Sequence, residues 1–499
     1  MRFADIFCGV GGMSHGLIEA GYNLQAALDA WPEAMEVHKN NIFKRPGQPV
    51  SAERMRKFYR GFGTADISEI AKWSTELLEH DLDMIVGGPP CQDFSVAGSK
   101  IEGQRAALSP VFAMTICIVR PEWFIMENVP GALYSNAYLQ TRKLLKNAGY
   151  GISEVVCKAS HYGVPQMRKR AFVIGRLGEA DWFLNSAIEG ARSPQQTTIR
   201  EALGDDAGVH PGNGHLDHVR AFFIRPFTGG RGVRSTDEVC PTLIRTSHEV
   251  PRPSYKPHKD DLALANEVRP LNFEELCQIQ GFPVDWDWSG IEKLSGPSGK
   301  MQALVNAVPP PLAKEIGQVI LDRHHGRSIP DVEKDFIAWL KSDKGLSGGT
   351  IQNKKSLLNR ARTLIKGRVL TDLSQEISLL EASPEFGTLS PQVKSHLRSA
   401  LRLHAEWRKP FEGLIDKGRQ DLLEWCCSHE VTQKEANSMR RQLAKLQKSK
   451  LPNAADLMWQ RHFGADYDIH ELFEFPMETH EEETEKAFFA RRQKSLASA

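Results

Sequence analysis

The chain has 499 residues, of which 41% are hydrophobic and 25% are charged, and its formal net charge is +1. This length exceeds that of one ordinary core, so we expect two or three domains. The sequence contains no apolar run long enough to cross a bilayer, which argues against a membrane protein. Because the net charge is close to zero, binding to a polyanion would require local basic surface.

The 8 cysteines are scattered along the chain, and only Cys426 and Cys427 are adjacent. No two of them have the CxxC spacing of a metal-ligand pair, so the sequence indicates neither a zinc site nor a disulfide framework. Asp5 and the glycines after it interrupt the apolar start of the chain, which does not suit a signal peptide. We therefore expect a cytoplasmic protein with no metal and no membrane partner.

The first 150 residues predict strands that alternate with helices. RFADIFCGVGGMSHG predicts a strand, a glycine turn and a helix that begins near Ser14. Further strands are expected over 24–30, 83–90 and 121–129, and helices over 109–120 and 137–149. This alternation implies a mostly parallel sheet with helices on both faces, and ligands collect at the carboxyl ends of the strands in such sheets.

The pattern changes twice further along the chain. Between 176 and 264 it becomes rich in Gly, Pro, Thr and Arg, which indicates a loop-rich insertion, and amphipathic helices return over 265–325. HGRSIPD is typical of a linker, and a mostly helical domain is expected over 326–499. Within that domain, Ser390 is placed to cap a helix that begins at Pro391.

The turn after the first strand contains Gly9, Gly11 and Gly12, whose missing side chains let a ligand approach the backbone. Their spacing departs from the GxGxxG dinucleotide fingerprint, and no Gly-Lys-Ser/Thr follows, so a triphosphate loop is not indicated either. A tight turn without a ligand is the alternative. Asp29 ends the second strand, where a ribose-binding carboxylate belongs. Asp66 suits either an adenine amino group or a helix N-cap.

GGPPCQDFSVAG places Cys91 directly after Pro89 and Pro90, which restrict the backbone before the thiol. A thiolate is a strong nucleophile, although only a few per cent of a free thiol is ionised at neutral pH. The alternative is a buried, inert cysteine of the kind that packs in most intracellular proteins.

Two further clusters favour chemistry at this thiol. MENVPG places Glu127 at the end of the next strand, and QMRKR places Arg168 and Arg170 where a later strand begins. Residues two apart on a strand share a face. Together these side chains would supply a nucleophile, an acid and a cationic clamp.

In this order the motifs resemble those of the DNA (cytosine-5)-methyltransferases, from residue 1 to about 325. The matching stretches are DIFCGVGG, TADI, GGPPCQDFS, ENV, QMRKR, RPLNFEELCQIQGFP and NAVPPPLA. The resemblance implies an α/β, Rossmann-like S-adenosylmethionine-dependent methyltransferase fold with a mixed, mostly parallel sheet. It divides the chain into a catalytic and cofactor-binding core over 1–175, a target-recognition region over 176–264, a return to the core over 265–325, and a C-terminal all-α domain over 326–499.

The implied reaction is methyl transfer from S-adenosylmethionine, leaving S-adenosylhomocysteine, to C5 of a specific cytosine in double-stranded DNA. Cys91 would add to C6 of a flipped-out base, Glu127 would engage N3 and the 4-amino group, Arg168 would steady the base, and Arg170 would order the thiol and the carboxylate. The implied cofactor-binding residues are Phe7, Gly9, Gly11, Gly12, Asp29, Asp66, Gly88, Pro90, Leu108 and Asn306.

Two positions depart from the family pattern. Val305 precedes Asn306 where the family usually has Gly, and Asp29 stands where Glu is more usual. DNA contacts are expected from residues of the loop after the thiol and of the target-recognition region, because arginine suits both phosphate and guanine. These residues are Gln92, Ser95, Arg225, Arg231, Arg234, Arg245 and Arg252.

The residues beyond Arg327 faintly resemble the helical core-binding module of tyrosine recombinases. One predicted helix there has a basic face made of Lys354, Lys355, Arg360, Arg362, Lys366 and Arg368. A DNA-binding face, a solvated face and a docking surface for a partner all stay open.

We expect a restriction-modification or phage-type enzyme associated with the nucleoid. Double-stranded DNA would be its substrate, and a cognate restriction endonuclease or another defence component is a candidate partner. A tRNA cytosine-5 methyltransferase and a non-catalytic DNA-binding regulator are the alternatives. The glycine spacing disfavours a dehydrogenase.

Overall fold

The computed structural model describes residues 1–43, 74, 77–90, 108–204, 220–226 and 230–408. Its strands are β1 (Arg2–Ile6), β2 (Asn23–Leu28), β3 (Met84–Gly87), β4 (Trp123–Asn128), β5 (Tyr150–Lys158), β6 (Lys169–Leu177), β7 (Ala221–Phe223) and β8 (Val233–Ser235). Adjacent strands follow the order β2-β1-β3 in one part of the chain and β4-β6-β5 in another, and β7 and β8 form a separate pair.

The first nine α-helices are α1 (Gly12–Glu19), α2 (Pro32–His38), α3 (Leu108–Val119), α4 (Asn136–Asn147), α5 (Asn185–Gly190), α6 (Ile199–Leu203), α7 (Phe273–Gln280), α8 (Ser289–Asn306) and α9 (Pro310–His324). Five more follow, α10 (Lys334–Ser342), α11 (Gly348–Leu364), α12 (Leu373–Glu381), α13 (Pro384–Gly387) and α14 (Pro391–Arg408). A π-helix spans Lys39–Phe43, and 3₁₀ turns span Pro130–Tyr134 and Ala159–His161. No helix in these ranges is long and apolar enough to span a membrane.

The chain divides into two compact units. The first unit contains residues 1–88, 157–170 and 191–318, and the second contains residues 89–156, 171–190 and the described residues from 319 onward. Each unit therefore combines segments that are far apart in sequence. The domain boundaries expected from the sequence stay a prediction.

In the first unit, β1 lies between β2 and β3 and runs parallel to both. Phe3 of β1 pairs with Leu24 of β2 and with Met84 of β3, and all three side chains are fully buried. A parallel strand buried on both faces is apolar along most of its length, as the ADI and MIVG runs are. The strand predicted over 24–30 is found over Asn23–Leu28. The stretch 83–90, predicted as a strand that ends in a tight turn, contains the strand Met84–Gly87.

Helix α1 is in direct backbone contact with the segment that precedes and begins α9. A Cβ atom on Gly12 would lie 2.1 Å from the carbonyl oxygen of Val308, and one on Gly16 would lie 2.2 Å from that of Pro310. The Tyr22 hydroxyl, beyond the end of α1, donates a hydrogen bond of 2.9 Å to the carbonyl of Gly317. Only glycine at positions 12 and 16 permits this approach.

Residues 176–264, the predicted target-recognition region, have short elements in their described part. Its antiparallel pair β7–β8 aligns Ala221 with Ser235 and Phe223 with Val233. A small apolar cluster forms around this pair from Ala221, Phe223, Val233, Ala265 and Val268. This arrangement agrees with the loop-rich insertion expected from composition.

In the second unit the strand order is β4-β6-β5, and β4 runs antiparallel to β6. All six residues of β4 are buried, and helices α3 and α4 pack against each other in the same unit. The strand predicted over 121–129 and the helices predicted over 109–120 and 137–149 are confirmed. The Ser135 hydroxyl caps α4 by accepting the Tyr138 N–H at 3.0 Å.

Helices α10–α14 form a helical module, residues 334–408, within the second unit. Its apolar core includes Phe336, Leu340, Leu358, Leu397 and Leu401. The helix start predicted at Pro391 is confirmed by α14, where the Ser390 hydroxyl accepts the Val393 N–H at 3.4 Å.

Glu179 joins the helical module to the turn that follows β6. This carboxylate is fully buried and accepts hydrogen bonds or ion pairs from Arg368 at 2.6 Å, Val369 N–H at 2.8 Å and Arg176 at 3.3 Å. The Thr371 hydroxyl donates to the Glu179 carbonyl at 2.7 Å. Because this carboxylate is buried, removing one member of the ion pair would leave an uncompensated charge and destabilise the contact.

We therefore expect Glu179→Ala to lower the free energy of unfolding by about 3 kcal/mol, because it leaves Arg368 without its counter-charge and the buried Val369 N–H without its acceptor, whereas Arg176 keeps its ion pair with Glu122. The matched control is Glu381→Ala, which removes the exposed partner of Arg398 and should cost less than about 1 kcal/mol. Denaturant unfolding of both variants measures the difference. Equal losses would contradict the structural role of Glu179.

Candidate active site

The glycine turn after β1 has an unusual backbone. Phe7 has a φ of 61°, a conformation that an aromatic residue rarely adopts, and Gly9 and Gly11 have φ values of 52° and 92°. A Cβ atom on Gly11 would lie 2.8 Å from Cδ2 of His38, so the turn is closed on that side. Strained backbone of this kind clusters at binding sites.

Asp29 holds the glycine turn from the neighbouring strand. Its carboxylate accepts the Gly9 N–H and the Trp31 N–H, each at 2.8 Å. Burial raises the pKa of Asp29, and these backbone N–H donors act against that rise. Asp29, which stands where the family usually has the longer glutamate, therefore stabilises the backbone of the glycine turn. Its contact with a ribose stays a prediction.

A polar chain that the sequence analysis missed lies behind the turn. The Ser14 hydroxyl donates to the Asp5 carboxylate at 2.5 Å, and Nε2 of His38 lies 3.0 Å from that hydroxyl. Burial, together with the charge of Asp29, raises the pKa of Asp5 to about 7 although the Ser14 hydroxyl opposes the rise. Burial also lowers the pKa of His38 to about 3. The sequence signal for this hydrogen-bonded group is Asp5, a carboxylate within the apolar strand β1.

Glu127 and Asn128 end β4 in the second unit, and 7% and 3% of their surfaces are exposed. The Asn128 side-chain amide donates to the carbonyl of Pro89 at 3.3 Å, and its oxygen accepts the Val129 N–H at 2.8 Å. Asn128 therefore ties the strand end to the backbone two positions before Cys91. Cys91 lies outside the described residues, as do Asp66, Gln92 and Ser95.

Arg168 is 1% exposed, and its guanidinium donates to the backbone carbonyl of Val305. The acceptor is a backbone oxygen, which every residue has. Valine at position 305 can therefore accept this hydrogen bond just as the glycine usual in the family could. Strand β6 begins at Lys169, so Arg168 lies just before the strand and only Arg170 lies on it. The shared strand face expected for the two arginines is therefore not established by β6. Arg170 is half-buried and donates to the carbonyl of Lys169 at 2.9 Å.

The remaining candidate cofactor residues lie at the ends of elements. Asn306 ends α8, is exposed, and accepts a hydrogen bond of 2.8 Å from the Gln302 side chain. Leu108 begins α3 and is half-buried. Gly88 and Pro90 follow β3 and are half-buried. Their contacts with a cofactor stay predictions.

A buried pair of glutamines, also missed from the sequence, fixes the loop that carries Arg168. The Gln166 amide donates to the Gln280 side chain at 2.7 Å, and Gln280 donates to the Ala307 carbonyl at 2.7 Å. Gln166 also accepts the Leu243 N–H at 3.1 Å. The pair therefore connects this loop to helix α7, to the residue after α8 and to Leu243, within the predicted target-recognition region.

Three of the predicted DNA-contacting arginines form ion pairs within the first unit. Arg231 makes a bidentate contact with Glu238 at 2.8 and 3.1 Å, and Arg234 lies 3.6 Å from the same carboxylate. Arg225 pairs with Glu249. These pairings stabilise the region itself.

Arg245 and Arg252 differ from those three arginines. Both side chains are exposed, and neither has a carboxylate partner in the part of the chain that the structure describes. They are therefore better placed to meet phosphate or guanine, and the DNA contacts of all five arginines stay predictions.

Comparisons with known proteins identify the family. Residues 1–322 match the C-5 cytosine-specific DNA methylase family. Type II methyltransferase M.HgiDI of Herpetosiphon aurantiacus is 33% identical over 314 residues, 63% of this chain and 92% of that protein. Type II methyltransferase M.HindV of Haemophilus influenzae is 33% identical over 327 residues, 64% of this chain and 97% of that protein. The chain belongs to the C-5 cytosine-specific DNA methylase family.

Among solved structures, the Dnmt2 methyltransferase of S. pombe aligns with 64% of this chain and 96% of its own, at 19% identity and a TM-score of 0.43. Membership of the family confirms the predicted fold class and enzyme class. The protein is a cytosine-C5 DNA methyltransferase. Membership also implies S-adenosylmethionine as the methyl donor.

The glycine turn fits such a donor. Among the described residues, a Cβ atom on Gly9 would meet no atom within 4 Å, whereas one on Gly11 or Gly12 would run into His38 or Val308. The turn is thus open on one side and closed on the other, with the Asp29 carboxylate bound to its backbone. Phe7, Gly9 and Asp29 are the residues that would hold the donor. The described ranges contain no cluster of three His, Cys, Asp or Glu side chains suited to a metal ion.

We expect Asp5→Asn to stabilise the protein increasingly as the pH rises from about 4 to about 8. The folded-state pKa of Asp5 is about 7 and the unfolded value about 3.9, so the parent loses up to about 4 kcal/mol of stability across this window. Asparagine cannot ionise and still accepts the Ser14 hydrogen bond. Denaturant unfolding at a series of pH values tests this, and a pH-independent difference between the two proteins would refute it.

We expect Asn128→Ala to lower the rate of methyl transfer by roughly 10- to 100-fold, because the backbone before Cys91 loses its anchor. Asn147→Ala, at an exposed position that ends α4, is the matched control and should retain the parent rate. Single-turnover methylation of duplex DNA gives both rates. An unchanged rate for Asn128→Ala would show that the tether is dispensable.

Proposed function

We propose that the protein methylates C5 of a specific cytosine in duplex DNA with Cys91 as the nucleophile, as the modification enzyme of a type II system. The observation that carries this proposal is the family match over residues 1–322, which contains the complete ordered set of motifs around Cys91. The curated relatives M.HgiDI and M.HindV are type II methyltransferases, which supports the biological assignment. A cognate endonuclease stays a prediction.

The role of Cys91 follows from the reactivity of the base. C5 of cytosine is a poor nucleophile, and addition of a thiolate to C6 gives C5 enamine character. The bound donor supplies an electrophilic methyl group on its sulfonium. Loss of the C5 proton and elimination of the Cys91 thiolate then restore both the pyrimidine ring and the enzyme.

Glu127 and Arg168 would handle the charge that develops in the ring. The buried position of Glu127 at the end of β4 strengthens any hydrogen bond that its carboxyl makes to N3 and the 4-amino group. Arg168 is pre-positioned because Val305 holds its guanidinium and the Ala159 N–H binds its carbonyl at 2.8 Å. Preorganised donors of this kind cost no reorganisation during the reaction.

The target base must leave the helix before this chemistry begins. C5 and C6 are stacked inside a duplex, and extruding the base costs a few kcal/mol. Gln92 and Ser95, close to Cys91 in sequence, are our candidates for contacts with the opened site. Arg245 and Arg252 would contribute phosphate or guanine contacts that offset this cost.

We expect Cys91→Ser to lose methyl transfer to duplex DNA by about three orders of magnitude or more, since a hydroxyl is a far weaker nucleophile than a thiolate. Cys117→Ser, at a half-buried cysteine on α3, is the control and should remain active. Transfer of radiolabelled methyl groups to duplex DNA and to tRNA provides the readout. Parent-like activity of Cys91→Ser would refute the mechanism, and transfer to tRNA alone would refute the substrate.

A further inference from the structure

Asp5 carries a buried carboxylate oxygen to which no other described residue is hydrogen-bonded. The residue is 1% exposed and lies on β1, two positions before Phe7 and the glycine turn. Its Oδ2 accepts the Ser14 hydroxyl at 2.5 Å, whereas its Oδ1 has no hydrogen-bond partner among the described residues. Buried carboxylate oxygens are normally paired, so an orphaned one beside a binding turn points to a ligand.

Asp29 is a second carboxylate at the same turn. It accepts the N–H groups of Gly9 and Trp31, each at 2.8 Å. Its charge raises the pKa of Asp5, which shows that the two carboxylates interact, and in the described part of the chain no lysine or arginine contributes to the pKa of either. Two carboxylates without a cationic partner repel each other and favour the binding of a cation.

The other titratable groups near Asp5 are neutral at physiological pH. Nε2 of His38 lies 3.0 Å from the Ser14 hydroxyl, and burial lowers the pKa of this histidine to about 3. Burial, together with the charges of the two carboxylates, raises the pKa of Cys8, whose thiol donates to the sulfur of Met35 at 3.4 Å. Strand β3, which pairs with β1 on its other side, contains no titratable residue. The charge around Asp5 is therefore negative.

The donor and the product of methyl transfer differ in charge at one atom. The sulfur of S-adenosylmethionine is a sulfonium with one positive charge, and the sulfur of S-adenosylhomocysteine is a neutral thioether once the methyl group has left. Their amino, carboxylate and adenosine groups are the same. Negative charge at the site therefore favours the donor over the product, and salt screens a buried charge less than an exposed one.

We propose that Asp5, together with Asp29, makes the donor site selective for the sulfonium of S-adenosylmethionine over the neutral thioether of the product. This inference rests on the proposed function, because it takes the glycine turn to bind the donor. The bound sulfonium favours the ionised form of Asp5, and its loss on methyl transfer removes that stabilisation. The product would then dissociate more readily. Asp5 acts through its charge, as a specificity-determining residue.

The test is calorimetric titration of the full chain with S-adenosylmethionine and S-adenosylhomocysteine at a series of pH values. Burial raises the pKa of Asp5 to about 7, so the preference for the donor should be present at high pH and lost as this carboxylate is protonated. We expect the ratio of product Kd to donor Kd to rise about 3- to 10-fold from about pH 5.5 to about pH 8.5.

Asp5→Asn keeps an acceptor for the Ser14 hydroxyl but cannot ionise. Its ratio of product Kd to donor Kd should stay at the low-pH value of the parent across the whole series. The matched control is Glu19→Gln, which neutralises an exposed carboxylate at the end of α1 that pairs with Lys314 at 3.5 Å. This control should follow the parent at every pH.

Sinefungin, which carries an ammonium group on carbon in place of the methylated sulfur, separates charge from shape. At about pH 8, Asp5→Asn should weaken the binding of sinefungin about as much as that of the donor, with little effect on the product. Equal weakening of all three ligands would overturn the proposal and give Asp5 a structural role in the turn.

A pH-independent ratio in a parent protein that binds both ligands would also overturn the proposal and leave the proposed function intact. This measurement on the parent serves if Asp5→Asn does not fold. If the parent bound neither S-adenosylmethionine nor S-adenosylhomocysteine, the proposed function itself would fail.

Discussion

The backbone contact between helix α1 and the segment before α9 is the constraint on which the glycine turn and the loop that carries Arg168 both depend. Gly12 and Gly16 have no side chain, so the carbonyls of Val308 and Pro310 can lie against α1. The same segment presents the Val305 carbonyl to Arg168 and the Ala307 carbonyl to the buried glutamine pair. One close contact between distant parts of the chain thus fixes the glycine turn and the Arg168 loop together.

Much of the fold and of the candidate site could be predicted because the signals are local. Apolar runs followed closely by glycine or proline predicted three of the strands, which end at Ile6, Gly87 and Asn128. The chain of Asp5, Ser14 and His38 was missed because its members come from three different elements. Contacts of this kind depend on tertiary packing, which a single sequence does not reveal. Arg362, expected on a basic face of α11, is instead 1% exposed and pairs with Glu333 at 2.9 Å. Helical periodicity already placed it four residues after Leu358, on the buried side of that helix.

The helical module extends the folded enzyme beyond the family match at residue 322. It belongs to the same compact unit as Glu127, and the buried carboxylate of Glu179 holds it to the turn after β6. Arg323 adds a hydrogen bond of 2.7 Å to the Phe183 carbonyl. Deleting the module would therefore leave buried charges unpaired, so surface substitutions test a role in DNA binding better than truncation does.

The account depends most on a transient bond between the Cys91 sulfur and C6 of an extruded cytosine. Fluorine at C5 cannot leave as a proton does, so a duplex with 5-fluorocytosine at the methylated position should trap this adduct. With S-adenosylmethionine present, we predict a protein–DNA complex that survives denaturing electrophoresis and is lost in Cys91→Ser. Methylation of the ordinary duplex without any trapped complex, or equal trapping by Cys91→Ser, would contradict the account.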